Sequence, residues 1–274
     1  MTTNGRGPLD GKVAIVTGGG GGLGGAVSAG LAGLGAKVAI NFSRSKGAAD
    51  AVAAAIRDAG AEAMTVQGSV AEDADCRRVA AAVLERWGRI DILVNNAATT
   101  TRMAPHDDLE ALSADDFLAS YRVNLIGAYQ MIRACRPAMQ AQGGGAVVNI
   151  SSVSALNGGG SSIAYSASKA ALNAMSQSLA RSLGPEIRVN TVSPGFMETP
   201  WFANALPPEK LQMIIERQRQ MTPLRRSGTP DDILPAVLFL AGEGSMHMTG
   251  ANLVVDAGFQ LGAMPTPLTA KPGG

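Results

Sequence analysis

The chain is expected to fold as an α/β protein, a doubly wound parallel sheet of about seven strands with helices on both faces. Two observations predict it. Short apolar, β-branched runs alternate along the whole chain with Ala-rich stretches of helical length, a rhythm that specifies parallel strands joined by helical crossovers. The first run leads directly into Thr17 to Gly25, TGGGGGLGG, with seven glycines in nine residues, where a strand-to-helix turn has to be tight. At 274 residues and 46% hydrophobic content, the chain can bury one large core, so residues 1–274 are expected to form a single domain.

The elements follow in order. KVAIVTG is short, apolar and β-branched, the pattern of a strand buried on both faces. Leu23, Val27, Leu31 and Leu34 then recur at helical spacing, and Gly35 is placed to stop that helix. KVAINF, AEAMTVQG, DILVNNA, GAVVNIS, IRVNTVSPG and ANLVVDAG are the further strand candidates. The stretch from Ser113 to Gln142 and the one opening at Tyr165 are the long helical segments between them.

Composition excludes several classes of function. Charged residues are 16% of the chain and the net charge is +1, which gives no electrostatic footprint for nucleic acid or an anionic membrane. Cys76 and Cys135 form no CxxC pair, and His106 and His247 have no ligand cluster around them, so neither a metal nor a disulfide framework is expected. A reducing, cytoplasmic setting fits this cysteine usage. No apolar run reaches the roughly 20 residues of a membrane span, and the first residues lack the apolar core of a signal peptide.

Within a strand–turn–helix unit the glycines have a mechanical role. Backbone free of Cβ can bring its N–H groups to a pyrophosphate at a helix N-terminus, the Rossmann-type arrangement. The residues expected to line that cradle are Gly18, Gly20, Gly21, Gly22, Leu23 and Gly24. Further on, Tyr165 and Lys169 stand four apart in YSASK, thirteen residues after Ser152. Residues i and i+4 share a helix face, so an ammonium at 169 is expected to lower the pKa of the phenol at 165 toward working pH. Ser152, at the end of strand GAVVNIS, is placed to hydrogen-bond a reacting carbonyl oxygen.

Gly18, Gly22 and Gly24 behind Thr17, together with Ser152, Tyr165 and Lys169, resemble the classical short-chain dehydrogenase/reductase family, and the likeness runs from about residue 10 to 260. NNAA at Asn95 to Ala98 is similar to that family's NNAG, which puts Asn96 and Ala97 at the cofactor. Asn124 matches the asparagine that bends a helix and holds a water linked to the lysine. Pro194, Gly195 and Thr199 match the segment that holds the nicotinamide carboxamide. The resemblance implies hydride transfer between a nicotinamide and a ketone or alcohol carbon, with Asn124, Ser152, Tyr165 and Lys169 catalytic and Lys169 also on the nicotinamide ribose.

The end of the second strand carries Phe42 where an acid would select NAD, followed by Ser43, Arg44 and Ser45, which suit a 2′-phosphate. NADP(H) is therefore the expected cofactor, although Gly20 and Gly21 bring no charge to the loop. Ser69 and Val70 are expected at the adenine. A substrate lid is expected over about 196–226, broken at Pro207 and Pro208. Phe196, Met197, Trp201 and Phe202, with Ser154, are the expected substrate contacts; Met213 and Ile214 fit either a pocket or an ordinary amphipathic helix. The loop ATTTRMAPHDDLEAL is expected near the mouth of the site, and a tail at about 263–274 is expected to be mobile.

Within the family the chain resembles the 3-oxoacyl-[acyl-carrier-protein] reductase type, and Arg133, Arg136 and Arg181 could meet an acidic carrier. The resemblance also implies a homotetramer. The leading expectation is an NADPH-dependent ketone reductase; an NAD-dependent alcohol dehydrogenase and a non-catalytic NADP-binding regulator remain the alternatives.

Overall fold

The computed structural model describes residues 7–262, so the tail at about 263–274 lies outside the described residues. All seven strand candidates form: β1 (Val13–Thr17), β2 (Lys37–Phe42), β3 (Ala63–Gln67), β4 (Ile92–Asn95), β5 (Gly145–Ile150), β6 (Ile187–Pro194) and β7 (Asn252–Val255). They make one sheet in the order β3-β2-β1-β4-β5-β6-β7, with every pair parallel. The chain order reverses between β1 and β4, and an open parallel sheet forms its ligand crevice beyond the strand ends at such a point.

The two-residue period of β1 assigns its side chains to opposite faces. Ala14 and Val16 pack with Leu23, Val27 and Leu31 of α1 (Gly22–Gly33), Ala53 and Ile56 of α2 (Lys46–Asp58), and more distant apolar residues. Val13 and Ile15 join Val79 and Val83 of α3 (Asp73–Trp87) on the other face. Burying such a Val, Ile or Leu side chain fully contributes about 1.5–3 kcal/mol, and both faces of β1 are wholly buried. The free thiols of Cys76 and Cys135 belong to the second cluster. Burial pushes them up to about 11 and about 12, so they stay protonated and inert.

The stretch expected as one long helix is α4 (Ala114–Tyr121), a π-helical turn over Arg122–Gly127, and α5 (Ala128–Ala141). After β5 come the short α6 (Ser154–Asn157) and the long α7 (Ile163–Leu183). The stretch expected as a lid contains α8 (Pro200–Ala205) and α9 (Pro208–Met221), parted at Pro207, and α10 (Pro230–Ala241) returns to pack on α1. Among the described residues no helix is long and apolar enough to cross a membrane.

Candidate active site

The crevice is built around Thr17. Its hydroxyl accepts from the N–H groups of Asn96 and Ala97, both at 3.0 Å. Asn96 Nδ2 donates in return to the carbonyls of Thr17 and Gly18, both at 3.1 Å. The tips of β1 and β4 are thus tied in both directions. Gly18 has φ +61°, and a Cβ at Gly24 would strike the Gly18 carbonyl and stand 2.5 Å from Asn96 Nδ2; only glycine lets α1 approach the loop this closely.

Gly21 caps α1 without a side-chain hydrogen bond, and no acid occupies the helix's first turn. The orphan N–H groups and positive dipole end of α1 are therefore free of any competing carboxylate, the chemistry that holds a pyrophosphate. Gly20 lies against Ala49 of α2, and Gly22 comes within 3.7 Å of the Thr199 side chain by its Cβ position. Leu23 differs from expectation: its side chain is buried in the core, so its backbone alone remains for a ligand. Phe42 is likewise a core side chain at the end of β2, where it excludes an acid. Ser43, Arg44 and Ser45 are exposed on the loop that follows, and Arg44 makes no ion pair among the described residues. Ser69 is partly exposed, its N–H bound by Asp75 at 2.8 Å, and the carbonyl of the buried Val70 accepts from Gln130 Nε2 at 2.8 Å.

Tyr165 is the third residue of α7, and its N–H is held at 3.1 Å by the hydroxyl of Ser162, which caps the helix. Its phenol is hydrogen-bonded to Ser152, whose Oγ also accepts from the Ser154 N–H at 3.2 Å. Lys169, one turn on, is buried; Nζ lies 5.8 Å from the Tyr165 ring centroid and donates to the Ile150 carbonyl at 2.7 Å. Electrostatics differ from the expected lowering of the phenol by Lys169. Burial pushes Tyr165 up to about 12, with the Ser152 hydrogen bond pulling the other way, and burial drives Lys169 down to about 7. Desolvation is the largest cause of both shifts.

Asn124 is buried in the π-helical turn. Its Oδ1 accepts from Thr99 N at 2.7 Å, while Nδ2 donates to the Thr99 carbonyl and to Ser168 Oγ, both at 2.9 Å. Three of the four hydrogen-bonding positions of this amide tie the loop after β4 to the π-helical turn and α7. Sequence alone missed these partners, Thr99 and Ser168, and also the Ser162 cap, which the S-x-x pattern before the helical run could have signalled.

Pro194 ends β6 and Gly195 lies against Asp256 so closely that a Cβ there would come within 2.9 Å of its Cα. Thr199 caps α8. Trp201, on that helix, meets the Tyr165 ring edge-on at 6.3 Å, and Phe196 and Phe202 pair at 4.8 Å. Met197 packs against the core beside α1 and bridges to Gly228, Ser154 is buried against Gly160, and Met213 is 68% exposed. Arg133 is held by Asp73 and stacked over Tyr129, and Arg136 by Gln140.

A cleft of about 470 Å³ opens between the loop Thr100–Met103 and Trp201 and Asn204 of α8. The loop expected near the mouth of the site thus forms one wall of this cleft.

Comparisons with known proteins agree with this geometry. A family model described as Enoyl-(Acyl carrier protein) reductase matches residues 19–260. A Streptomyces violaceoruber protein named as a ketoacyl reductase of the granaticin polyketide synthase is 41% identical, over 91% of this chain and 96% of that one. An L-rhamnose 1-dehydrogenase (NAD(P)(+)) of Sphingomonas sp. (strain SKA58) is 36% identical over 91% of this chain and 96% of its own. A solved structure described as a short-chain dehydrogenase/reductase from Burkholderia xenovorans superposes with a TM-score of 0.85 at 38% identity, covering 92% of this chain and 98% of the other.

Proposed function

Because this chain belongs to the classical short-chain dehydrogenase/reductase family of oxidoreductases, which bind nicotinamide cofactors, we propose that it is an NADPH-dependent reductase that converts a ketone to a secondary alcohol, reversibly. One observation carries the reading. The short helix α8 touches the glycine loop through Thr199 and the phenol of Tyr165 through Trp201, so the dinucleotide cradle and the acid–base group form a continuous site.

The residues present fit such a cofactor: a loop drawn tight against α1 by a glycine at 24, and a helix N-terminus with no acid in its first turn. Gly18, Gly20, Gly21, Gly22 and Gly24, with the Leu23 backbone, would hold the pyrophosphate. Arg44 with Ser43 and Ser45 would take a 2′-phosphate, Ser69 and Val70 the adenine, and Asn96, Ala97, Pro194, Gly195 and Thr199 the nicotinamide end. When bound, NADPH supplies the hydride.

The chain's own part is the proton. A phenol held near 12 is fully protonated at neutral pH, so Tyr165 stands ready to give its proton to the substrate oxygen as the carbon is reduced, and to take it back in the reverse direction. Ser152 orients that oxygen, Lys169 adjoins the phenol and the nicotinamide ribose, and Asn124 positions the wall that Thr99 begins. We also propose a cytoplasmic homotetramer acting on a small ketone, which Leu118 and Tyr129, exposed on α4 and α5, support as contact residues.

Tyr165→Phe removes the proton and keeps the ring. Turnover, followed as NADPH oxidation at about 340 nm over a ketone panel, is expected to fall by about 10²–10⁴-fold with NADPH affinity unchanged. Retained turnover would reassign the acid, and faster turnover with NADH than with NADPH would reassign the cofactor.

A further inference from the structure

We propose that Arg102 selects for ketones carrying an anionic group, a carboxylate or phosphate, some bonds away from the reacting carbonyl. This rests on the reading of Tyr165 as the site of reduction. Arg102 lines the cleft with Thr100, Thr101, Met103, Trp201 and Asn204. Trp201 lines the same cleft and touches the Tyr165 ring at 6.3 Å. The cleft and the phenol therefore lie on either side of one indole, which places an anion in the cleft some bonds away from a carbonyl at Tyr165.

The wall that carries Arg102 is fixed rather than loose. Thr99 is bound at N–H and carbonyl by Asn124. The Thr100 hydroxyl donates to the Arg102 carbonyl at 3.1 Å and lies 3.5 Å from the Ser162 hydroxyl. Thr101 is hydrogen-bonded to Asp116, and Ala104, which is buried, donates its N–H to the Ser161 carbonyl at 3.0 Å. Thr99, Thr100, Thr101 and Ala104 are thus tied to the π-helical turn, to α4 or to the segment that leads into α7, so Arg102 stands on a preformed rim.

Its charge is available. Arg102 makes no ion pair among the described residues, in contrast to Arg89, Arg133 and Arg226, which each hold an aspartate. The acid that feels Arg102 is Asp116, and that carboxylate already accepts from the Ser113 N–H at 2.9 Å and the Ser113 hydroxyl at 2.8 Å besides Thr101. It caps α4 and is committed there. A guanidinium in a lining that contains no carboxylate and includes the amide of Asn204 suits an oxyanion, and a neutral ketone would leave it unused.

The matched pair 5-oxohexanoate and its methyl ester tests this, with the corresponding keto-phosphate as a third arm that separates carboxylate from phosphate. In the wild type, kcat/KM is expected to favour an anion over the ester by about tenfold, an advantage that shrinks with added salt. Arg102→Ala should abolish the preference and leave the ester within about twofold, Arg102→Lys should keep part of it, and Arg102→Glu should reverse it. Equal turnover of all three by the wild type, or parallel losses for anion and ester in Arg102→Ala, would overturn the proposal. If none is reduced, calorimetric binding to the NADPH-loaded enzyme decides instead. Anion-selective binding lost in Arg102→Ala would keep Arg102's role and discard the reductase reading, whereas equal binding would overturn the role.

Discussion

Two neighbouring glycines of the loop differ in what they will accept. A Cβ at Gly20 would stand 2.8 Å from the Ala49 backbone nitrogen, whereas at Gly21 it meets nothing within 4 Å, and Gly21 has an extended φ of −178° open to any residue. Gly21→Arg is expected to fold normally and to lower KM for NADPH by about 3–10-fold with little change for NADH, by adding a cation where the loop has none. Gly20→Arg should cost about 1–3 kcal/mol through overpacking against α2; denaturation curves beside steady-state kinetics check both. Lys169 gives a pH signature. Its amine titrates near 7 in the fold and near 10.5 unfolded, so between those values the unfolded chain holds a proton that the folded one lacks, and stability rises with pH. The penalty of the buried charge is whole below about pH 7 and gone above about pH 10.5. Relative to Lys169→Met, the wild type should therefore gain about 2–4 kcal/mol between about pH 6.5 and pH 10 in urea titrations. The sequence could name Tyr165 and Lys169, because four-residue spacing is visible in letters, but not the direction of their shifts. Those come from burial, which neighbours far along the chain supply.

At the scale of elements, the helix that carries Tyr165 depends on a cap. Ser162 is fully buried and its hydroxyl holds the Tyr165 N–H. Ser162→Ala is expected to cost about 1 kcal/mol, to lower Tm by about 2–4 °C, and to reduce kcat more than it raises KM, with Ser162→Thr restoring most of each. Further along, Asn95 donates to Asn149 and Asn149 to Ser176, both at 2.8 Å. This buried polar chain runs from β4 through β5 into α7 and fixes where the helix sits on the sheet. All seven strands could be read beforehand because each is a short β-branched run between breakers, and both-face burial leaves little room for polar interruption. The π-helical turn at Asn124 could not. Residues 113–142 have uninterrupted helical character, and the wider turn is set by what Asn124 must reach, Thr99 and Ser168.

For the whole molecule, assembly is the open quantity. Leu118 on α4, Ile126 in the π-helical turn and Tyr129 on α5 are exposed at 55%, 43% and 43%, an apolar run along one helical segment that a neighbouring copy would cover. Light scattering is expected to give a mass near four times the 27.9 kDa chain, and Leu118→Glu with Tyr129→Glu to lower it; a wild-type monomer would remove the proposed tetramer. The sheet order follows from alternation plus the handedness of crossovers, whereas the cleft between Thr100–Met103 and α8 depends on two loops meeting, which no local pattern encodes. The reciprocal tie between Thr17 and Asn96 divides the crevice into two kinds of position. Residues 17, 18, 24 and 96 lock one another, so a change at any of them must be answered by the others at once. Arg44, Arg102, Trp201 and Asn204 stand on exposed rims and can vary one at a time. On the roles proposed for Arg44 and Arg102, cofactor and substrate preference change by single steps at the rim, while the clasp beneath holds the same geometry through every exchange.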